Sequence, residues 1–273
     1  MTIAARTVTP WTSELLASLP GIMHAVTHRS PGLGQAEGNV AYSAPRDRED
    51  AWAMRQHWCD ASQLDASRLV TLGQIHGAEV HVVDARHAGS GARPGSDQVG
   101  YGDALATRDA GPVLMTLHAD CQPILFVDPG SHGQNPAVAV AHAGWRGTVA
   151  DIAGQTIDAM NAAFGTRPEN VHVALGPAIG PCCYEVGPEV VAAWTAIAGG
   201  DAAVALSVRD GSSYFSARDA NVYLLQRVGV QVAHMDVSQV CTRCQGERWF
   251  SHRGQGPLTG RFGAMIAIEG NRP

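Results

Sequence analysis

Three short apolar runs constrain this chain more than any other feature: PVLMTLHADC (112–121), ILFVDP (124–129) and AVAVAHAG (137–144). Each is nearly unbroken rather than alternating, which is the pattern of a strand covered on both faces. The chain has the material to cover them. It has 273 residues, 45% of them hydrophobic, enough for a sizeable core. DREDAWAMRQHWCDAS (47–62) spaces Ala, Trp and Met for an amphipathic helix with acids in its first turn. Thr148 is set to cap the helix that follows the third run, with Asp151 as its capping-box acid. That helix carries Ile152, Ile157 and Met160 toward the core. GPEVVAAWTAIAG and ARDANVYLLQRVGV read as further helices, the second stopped by Gly229. GIMHAVTH, NVHVALGP and FGAMIAIE read as strands, and RLVTLGQIHG with EVHVVDA as a hairpin or two consecutive strands. GSGARPGSDQVGYGD (89–103) is a loop by composition. No repeat or long linker divides the chain. The expectation is a mixed α/β fold, a single layered domain over 21–270 with mixed β-sheets flanked by helices, behind an N-terminal extension, 1–20.

Charge and composition narrow the function. The 19 basic and 25 acidic residues give a net charge of -6 with no basic run, so neither nucleic acid nor an anionic membrane is an expected partner. No apolar stretch reaches the ~18 residues of a membrane span. The N-terminal MTIAARTVTPWTSELL lacks a clean apolar segment and does not read as a secretory signal. Six cysteines are too sparse for a disulfide scaffold, which points to a cytoplasmic protein with reduced thiols. Twelve histidines are a high share and point toward metal or acid–base chemistry.

The third apolar run ends on His-Ala-Gly-Trp-Arg-Gly, just where a helix begins. An ordinary turn has no need of an imidazole, an indole and a guanidinium. Two other segments also place a metal-competent side chain at a strand end or turn: His76 in GQIHGAEV and Cys121 in LHADCQPILF. The spacing of His76, Cys121 and His142 is no local zinc motif, and each residue also reads as a buried imidazole or a small hydrophobe. Arg146 offers a fixed fork for an oxyanion, and the free N–H groups of the following helix start face the same place. Its plain reading is a solvated turn arginine. Trp145 is suited to stacking a purine and equally to packing. Asp120 is a candidate for orienting a ligand or capping a turn. His118, three residues before Cys121, points to the opposite face of an extended strand and reads as structural.

HADCQPILFVDP followed by AVAVAHAGWRG, then LGPAIGPCCYEVG and FSHRGQGPLTGRFGAMI, resembles the multicopper-polyphenol-oxidase-like family, also called the laccase-domain or YfiH family. The likeness runs in order from about Gly21 to Ile268. It implies a single-domain α/β fold with a zinc held by His76, Cys121 and His142. It also implies activity on purine nucleosides: phosphorolysis of adenosine, inosine, guanosine and methylthioadenosine, and deamination of adenosine. Arg55, Trp145, Cys183 and Arg261 fall at positions expected to line the substrate pocket, together with Cys182, Tyr184, Ser251, His252 and Arg253. Family members tend to carry Asn-Arg in the first helix, where this chain has Met54-Arg55. The expected partners are small-molecule nucleosides and phosphate, and the expected assembly is a monomer or a small homo-oligomer.

Two imidazoles and a thiolate leave a fourth zinc position open, as in catalytic rather than structural sites. Copper can displace zinc in vitro because it lies higher in the affinity order. A copper-dependent polyphenol oxidase is nevertheless a poorer reading, since the sequence has no His-x-His pair and no His-Cys-His segment. Two further alternatives are a peptidoglycan-precursor editing amidase using the same groups and a zinc-binding partner module. Cys241 and Cys244 form a lone Cys-x-x-Cys. A zinc ribbon needs a second pair at matching spacing, so no structural zinc is expected there. Adjacent Cys182 and Cys183 do not readily form a disulfide.

Overall fold

The computed structural model describes residues 8–130 and 135–270. The first half of the chain forms α1 (Glu14–Ala17), β1 (Ile22–Val26), α2 (Arg48–Ala61), β2 (Leu69–Val70), β3 (Val80–Val82), β4 (Ala104–Thr107), β5 (Val113–His118) and β6 (Gln122–Asp128). Then come β7 (Ala137–Ala143), α3 (Trp145–Val149), α4 (Ile152–Phe164), β8 (His172–Leu175), β9 (Glu185–Val186) and α5 (Pro188–Ala198). The chain closes with β10 (Leu206–Arg209), β11 (Ser212–Phe215), α6 (Ala217–Arg227), β12 (Met235–Val237), α7 (His252–Gln255) and β13 (Phe262–Ile268).

Two sheets form the centre. One runs β1-β13-β5-β2 and the other β12-β8-β6-β7-β4-β3, with a small β10-β11-β9 sheet to the side. Both large sheets are mixed: in one β2 pairs with β5 in parallel and β13 with β5 antiparallel, and in the other β3 pairs with β4 in parallel and β7 with β6 antiparallel. Their facing surfaces share one core, in which Val26, Leu114, Ala264 and Ile266 meet Leu105, Leu125, Val127, Val138 and Val140. The outer face of the six-stranded sheet packs Ala104, Ala106, Ala139 and Ala141 against Ile152, Ile157 and Met160 of α4. The outer face of the four-stranded sheet packs Ala25, Met115 and Met265 against Met54 and Trp58 of α2. The fold is thus a mixed α/β sandwich layered helix, sheet, sheet, helix. That is why the apolar runs do not alternate: every residue of β6 and β7 is buried.

Several details differ from the sequence reading. Leu16 of α1 is fully buried in the inter-sheet core, and Val8 and Trp11 also pack against the core, so described residues ahead of Gly21 are part of the packing. The two segments read as a hairpin or consecutive strands lie in different sheets, β2 in one and β3 in the other. Thr148 does not cap α4. It sits inside the short α3, and its hydroxyl accepts from Asn221. Asp151 is the cap instead, in the left-handed region, with its carboxylate accepting from the Gly154 N–H. Among the described residues no helix is long and apolar enough to cross a membrane.

Candidate functional site

Strand parity and one crossover loop build the site. In β7 the alternation that sends Ala137, Ala139 and Ala141 toward α4 sends Val138 and Val140 between the sheets, and His142 continues the second series. Leu114 of β5 also faces the inter-sheet core, so Thr116 and His118 share its face. Cys121 ends the tight link from β5 to β6, where Asp120 adopts a positive φ of 89°. His76, also at positive φ, lies in the link that carries the chain from β2 in one sheet to β3 in the other.

The three residues meet. His76, Cys121 and His142 each present a ligand atom, all within 4.8 Å of one another. The two imidazoles stand edge to face with centroids 4.9 Å apart. Gly144 closes over them: a Cβ there would lie 3.2 Å from the Cys121 Sγ and 3.3 Å from the His76 Cδ2. A side chain at this position would crowd the ligands, which would have to shift by a few tenths of an ångström to admit it.

Asp103, fully buried at the start of β4, organises the ligands and was missed by the sequence reading. His142 Nδ1–H donates to its Oδ1 at 2.8 Å, leaving Nε2 as the nitrogen for a metal. Its Oδ2 accepts the N–H groups of Ile75 and Gly77 at 3.2 and 2.7 Å, which fixes the loop carrying His76. A carboxylate holding a ligating imidazole in this way is the usual partner of a histidine–metal site. The sequence shows only an acid ending a glycine-rich loop, with nothing to mark it as buried. Asp120, weighed for that role, instead accepts from the Thr242 hydroxyl and the Arg253 N–H, both at 2.6 Å.

Burial opposes both charges of the Cys121–His142 pair, but the pair overcomes it. Cys121 falls to about 6 because His142 lies beside it and both imidazoles donate to its sulfur. His142 rises to about 9, held by the Cys121 thiolate and the Asp103 carboxylate. In metal-free protein His142 lies above its free value, so its contribution to stability is complete below that value and lost as pH rises through about 9. Cys121 lies below its free value, so its contribution is complete above that value and lost as pH falls through about 6. Each contribution needs its partner charged. The melting temperature of chelator-treated protein should therefore decline on leaving the window from about 6 to about 9 at either end. Cys121→Ser should flatten that profile, and an unchanged profile would show that the pair is not charged.

His118 departs from the expectation. It lies next to the site, with its ring centroid 5.1 Å from that of His142. The chain is not extended from His118 to Cys121, because the positive φ at Asp120 turns it, so counting faces across that link fails. The His118 Nδ1–H donates to the Cys121 carbonyl and its Nε2 accepts from the Thr116 hydroxyl. Burial, reinforced by the charge on His142, holds it well below the usual imidazole range, so it stays neutral.

The ligands open into a cavity of about 1070 Å³ lined by Gln74, Tyr101, Trp145, Tyr184, Arg48, Arg93, Arg253 and Arg261, among others. Trp145, Arg261, Tyr184, His252 and Arg253 line it. Arg55 reaches its wall but is buried, and it donates to the carbonyls of Val40, Gly91 and Ala92 while stacking on Tyr42. It props the wall. Arg146 is exposed, is not among the cavity-lining residues, and lies over the Trp145 ring at 4.3 Å. Ser251 is fully buried and caps α7, with its hydroxyl accepting from the Gly254 N–H. Cys182 and Cys183 do not line the cavity either; they gather with Cys241 and Cys244 in a second group.

A family model described as multi-copper polyphenol oxidoreductase laccase matches residues 23–269. The chain belongs to this family. It is 34% identical over 235 residues to the purine nucleoside phosphorylase YlmD of Geobacillus stearothermophilus, covering 86% of this chain and 83% of that protein. It is 36% identical over 199 residues to adenosine deaminase RL5 of an unknown prokaryotic organism, covering 72% of this chain and 74% of that one. The crystal structure of YlmD from Geobacillus stearothermophilus superposes with a TM-score of 0.88 at 30% identity, over 98% of this chain and 99% of that one.

Proposed function

We propose that this protein is a zinc-dependent purine nucleoside enzyme. It phosphorolyses adenosine, inosine, guanosine and methylthioadenosine, and deaminates adenosine. The observation that carries the reading is a ligand set of two imidazoles and one thiol at the wall of a cavity large enough for a nucleoside. The family's phosphorylase and deaminase members lend it support. The donor set of two imidazoles and one thiol, with its ligand atoms within 4.8 Å of one another, suits zinc with one position left open. Zinc bound there supplies a Lewis acid that makes water a competent nucleophile near neutral pH.

The rest of the chemistry belongs to the chain. Asp103 holds His142 in one tautomer and fixes the His76 loop. Cys121, with its depressed thiol, provides an anionic ligand at little cost in proton affinity. Trp145, Tyr184 and Tyr101 offer ring faces to a base. The anion role assigned by sequence to Arg146 passes to Arg253 and Arg261, which line the cavity. A reducing compartment such as the cytoplasm suits the Cys121 ligand.

The direct test is a nucleoside panel with and without phosphate. Inosine should be consumed only when phosphate is present, and adenosine should release ammonia without it. No turnover of any nucleoside by zinc-replete protein would refute the proposal. Arg261→Ala should raise the KM for phosphate ~10-fold or more while leaving that for inosine nearly unchanged, the scale of one charge-assisted hydrogen bond. Arg146→Ala should change neither. The reverse pattern would return the phosphate to the helix start. Gly144→Ala should raise the free zinc needed to half-restore chelated enzyme ~10-fold, as loss of support around a metal site does. A wild-type zinc requirement would show that the ligands have room to spare.

A further inference from the structure

We propose that Cys182, Cys183, Cys241 and Cys244 form a second metal site, a tetrathiolate suited to zinc, on the outer side of the cavity wall. Their four sulfur atoms lie within 4.8 Å of one another, although the two pairs are about 60 residues apart in sequence. The Cys182 and Cys183 sulfurs stand 3.6 and 3.4 Å from that of Cys244. A tetrahedral zinc with bonds of about 2.3 Å sets its sulfurs about 3.8 Å apart, so a small expansion accommodates the ion. All four are free thiols, and two are exposed, which small packing hydrophobes are not.

The backbone is arranged for the sulfurs. Ala178 and Cys241 form a bridge, and the Thr242 N–H donates to the Ala178 carbonyl, which brings the two loops side by side. The N–H groups of Cys183 and Tyr184 turn back to the Gly180 carbonyl. The Gly180 N–H donates to the Cys241 sulfur at 3.2 Å, the support a thiolate ligand receives in such loops. A Cβ on Gly180 would lie 3.2 Å from the Cys182 sulfur, so here too a glycine keeps the cluster open. Arg209 donates to the Pro181 carbonyl and Arg243 to that of Cys183, which sets two cations beside a site that becomes doubly anionic when filled. Each thiol that binds gives its proton to solvent.

The site would brace the cavity rather than act in it. Tyr184, which follows Cys183, lines the cavity. Thr242, which follows Cys241, donates to Asp120 beside Cys121. An ion held by both pairs therefore ties the Tyr184 loop to the segment that positions Asp120.

The test is zinc content and thiol count on protein purified without chelator, together with cobalt substitution. Wild type should carry about two zinc ions per chain and His142→Ala about one. Cobalt in His142→Ala should show the intense ligand-field and sulfur-to-cobalt bands of a tetrahedral thiolate site. Cys182→Ser with Cys244→Ser should lose one zinc from wild type while keeping that of the histidine site. If that variant does not fold, the wild-type and His142→Ala measurements still decide. No stoichiometric metal in His142→Ala shown to be folded by circular dichroism would overturn the proposal, and should that variant not fold, cobalt-substituted wild type without the bands of a tetrathiolate site would overturn it. So would a titration of unfolded, unreduced protein that finds two thiols fewer than the six in the sequence, since the cluster would then be a disulfide. Absence of nucleoside turnover would leave these metal counts unaffected, so the two proposals fail separately.

Discussion

His142→Ala is expected to lower adenosine deamination at least ~100-fold, the scale of losing one main catalytic element, while inosine phosphorolysis falls less. Deamination takes its nucleophile from water and depends on a Lewis acid to activate it. Phosphorolysis brings its own anionic nucleophile, the group assigned on the proposed reading to Arg253 and Arg261 of the cavity lining. The substitution carries a structural risk. Without the imidazole, the Asp103 carboxylate stays fully buried and loses its charge partner. Breaking a buried pair costs roughly 3–5 kcal/mol. Both rates should therefore be measured on protein of known melting temperature and zinc content. Equal loss of the two activities in a well-folded variant would mean that they share the metal and that the chemistry is not divided between metal and phosphate.

Asp103→Asn should weaken zinc binding at the histidine–cysteine site ~10–100-fold, the usual effect of losing a carboxylate behind a ligating imidazole. Asn is close to Asp in size, and its oxygen can still accept from the loop around His76, so the fold should survive. What it removes is the negative charge that holds the His142 Nδ1 proton. The free zinc concentration that half-restores adenosine deamination in chelated enzyme reads this directly. A wild-type zinc requirement in Asp103→Asn would reduce Asp103 to a structural brace for the loop.

The layered core was legible because β5, β6 and β7 are covered on both faces and so carry no polar alternation. The short strands β4, β9 and β12 were not, since two to four residues in a polar setting leave no period to read. His76, Cys121 and His142 stood out individually, each beside an apolar run, but their convergence was implied by resemblance alone. It depends on the link from β2 to β3 crossing between sheets, and no local spacing encodes a crossing. His118 was misjudged by counting strand parity through a turn. Arg146 is exposed over Trp145 rather than among the cavity-lining residues, an orientation set by its phase in α3 that a helix start read from sequence does not give. The cysteines were discounted because Cys182-Cys183 and Cys241-x-x-Cys244 match no ribbon spacing, yet the bridge from Ala178 to Cys241 overrides spacing by bringing the loops together.

The central claim is that a metal held by His76, Cys121 and His142 supports chemistry on a purine nucleoside. The most direct measurement is adenosine deamination by one preparation before chelation, after verified removal of metal, and after readdition of zinc. Activity should fall by ~100-fold or more on stripping and return with zinc in wild type but not in His142→Ala. Full activity in protein shown to be free of metal would contradict the claim.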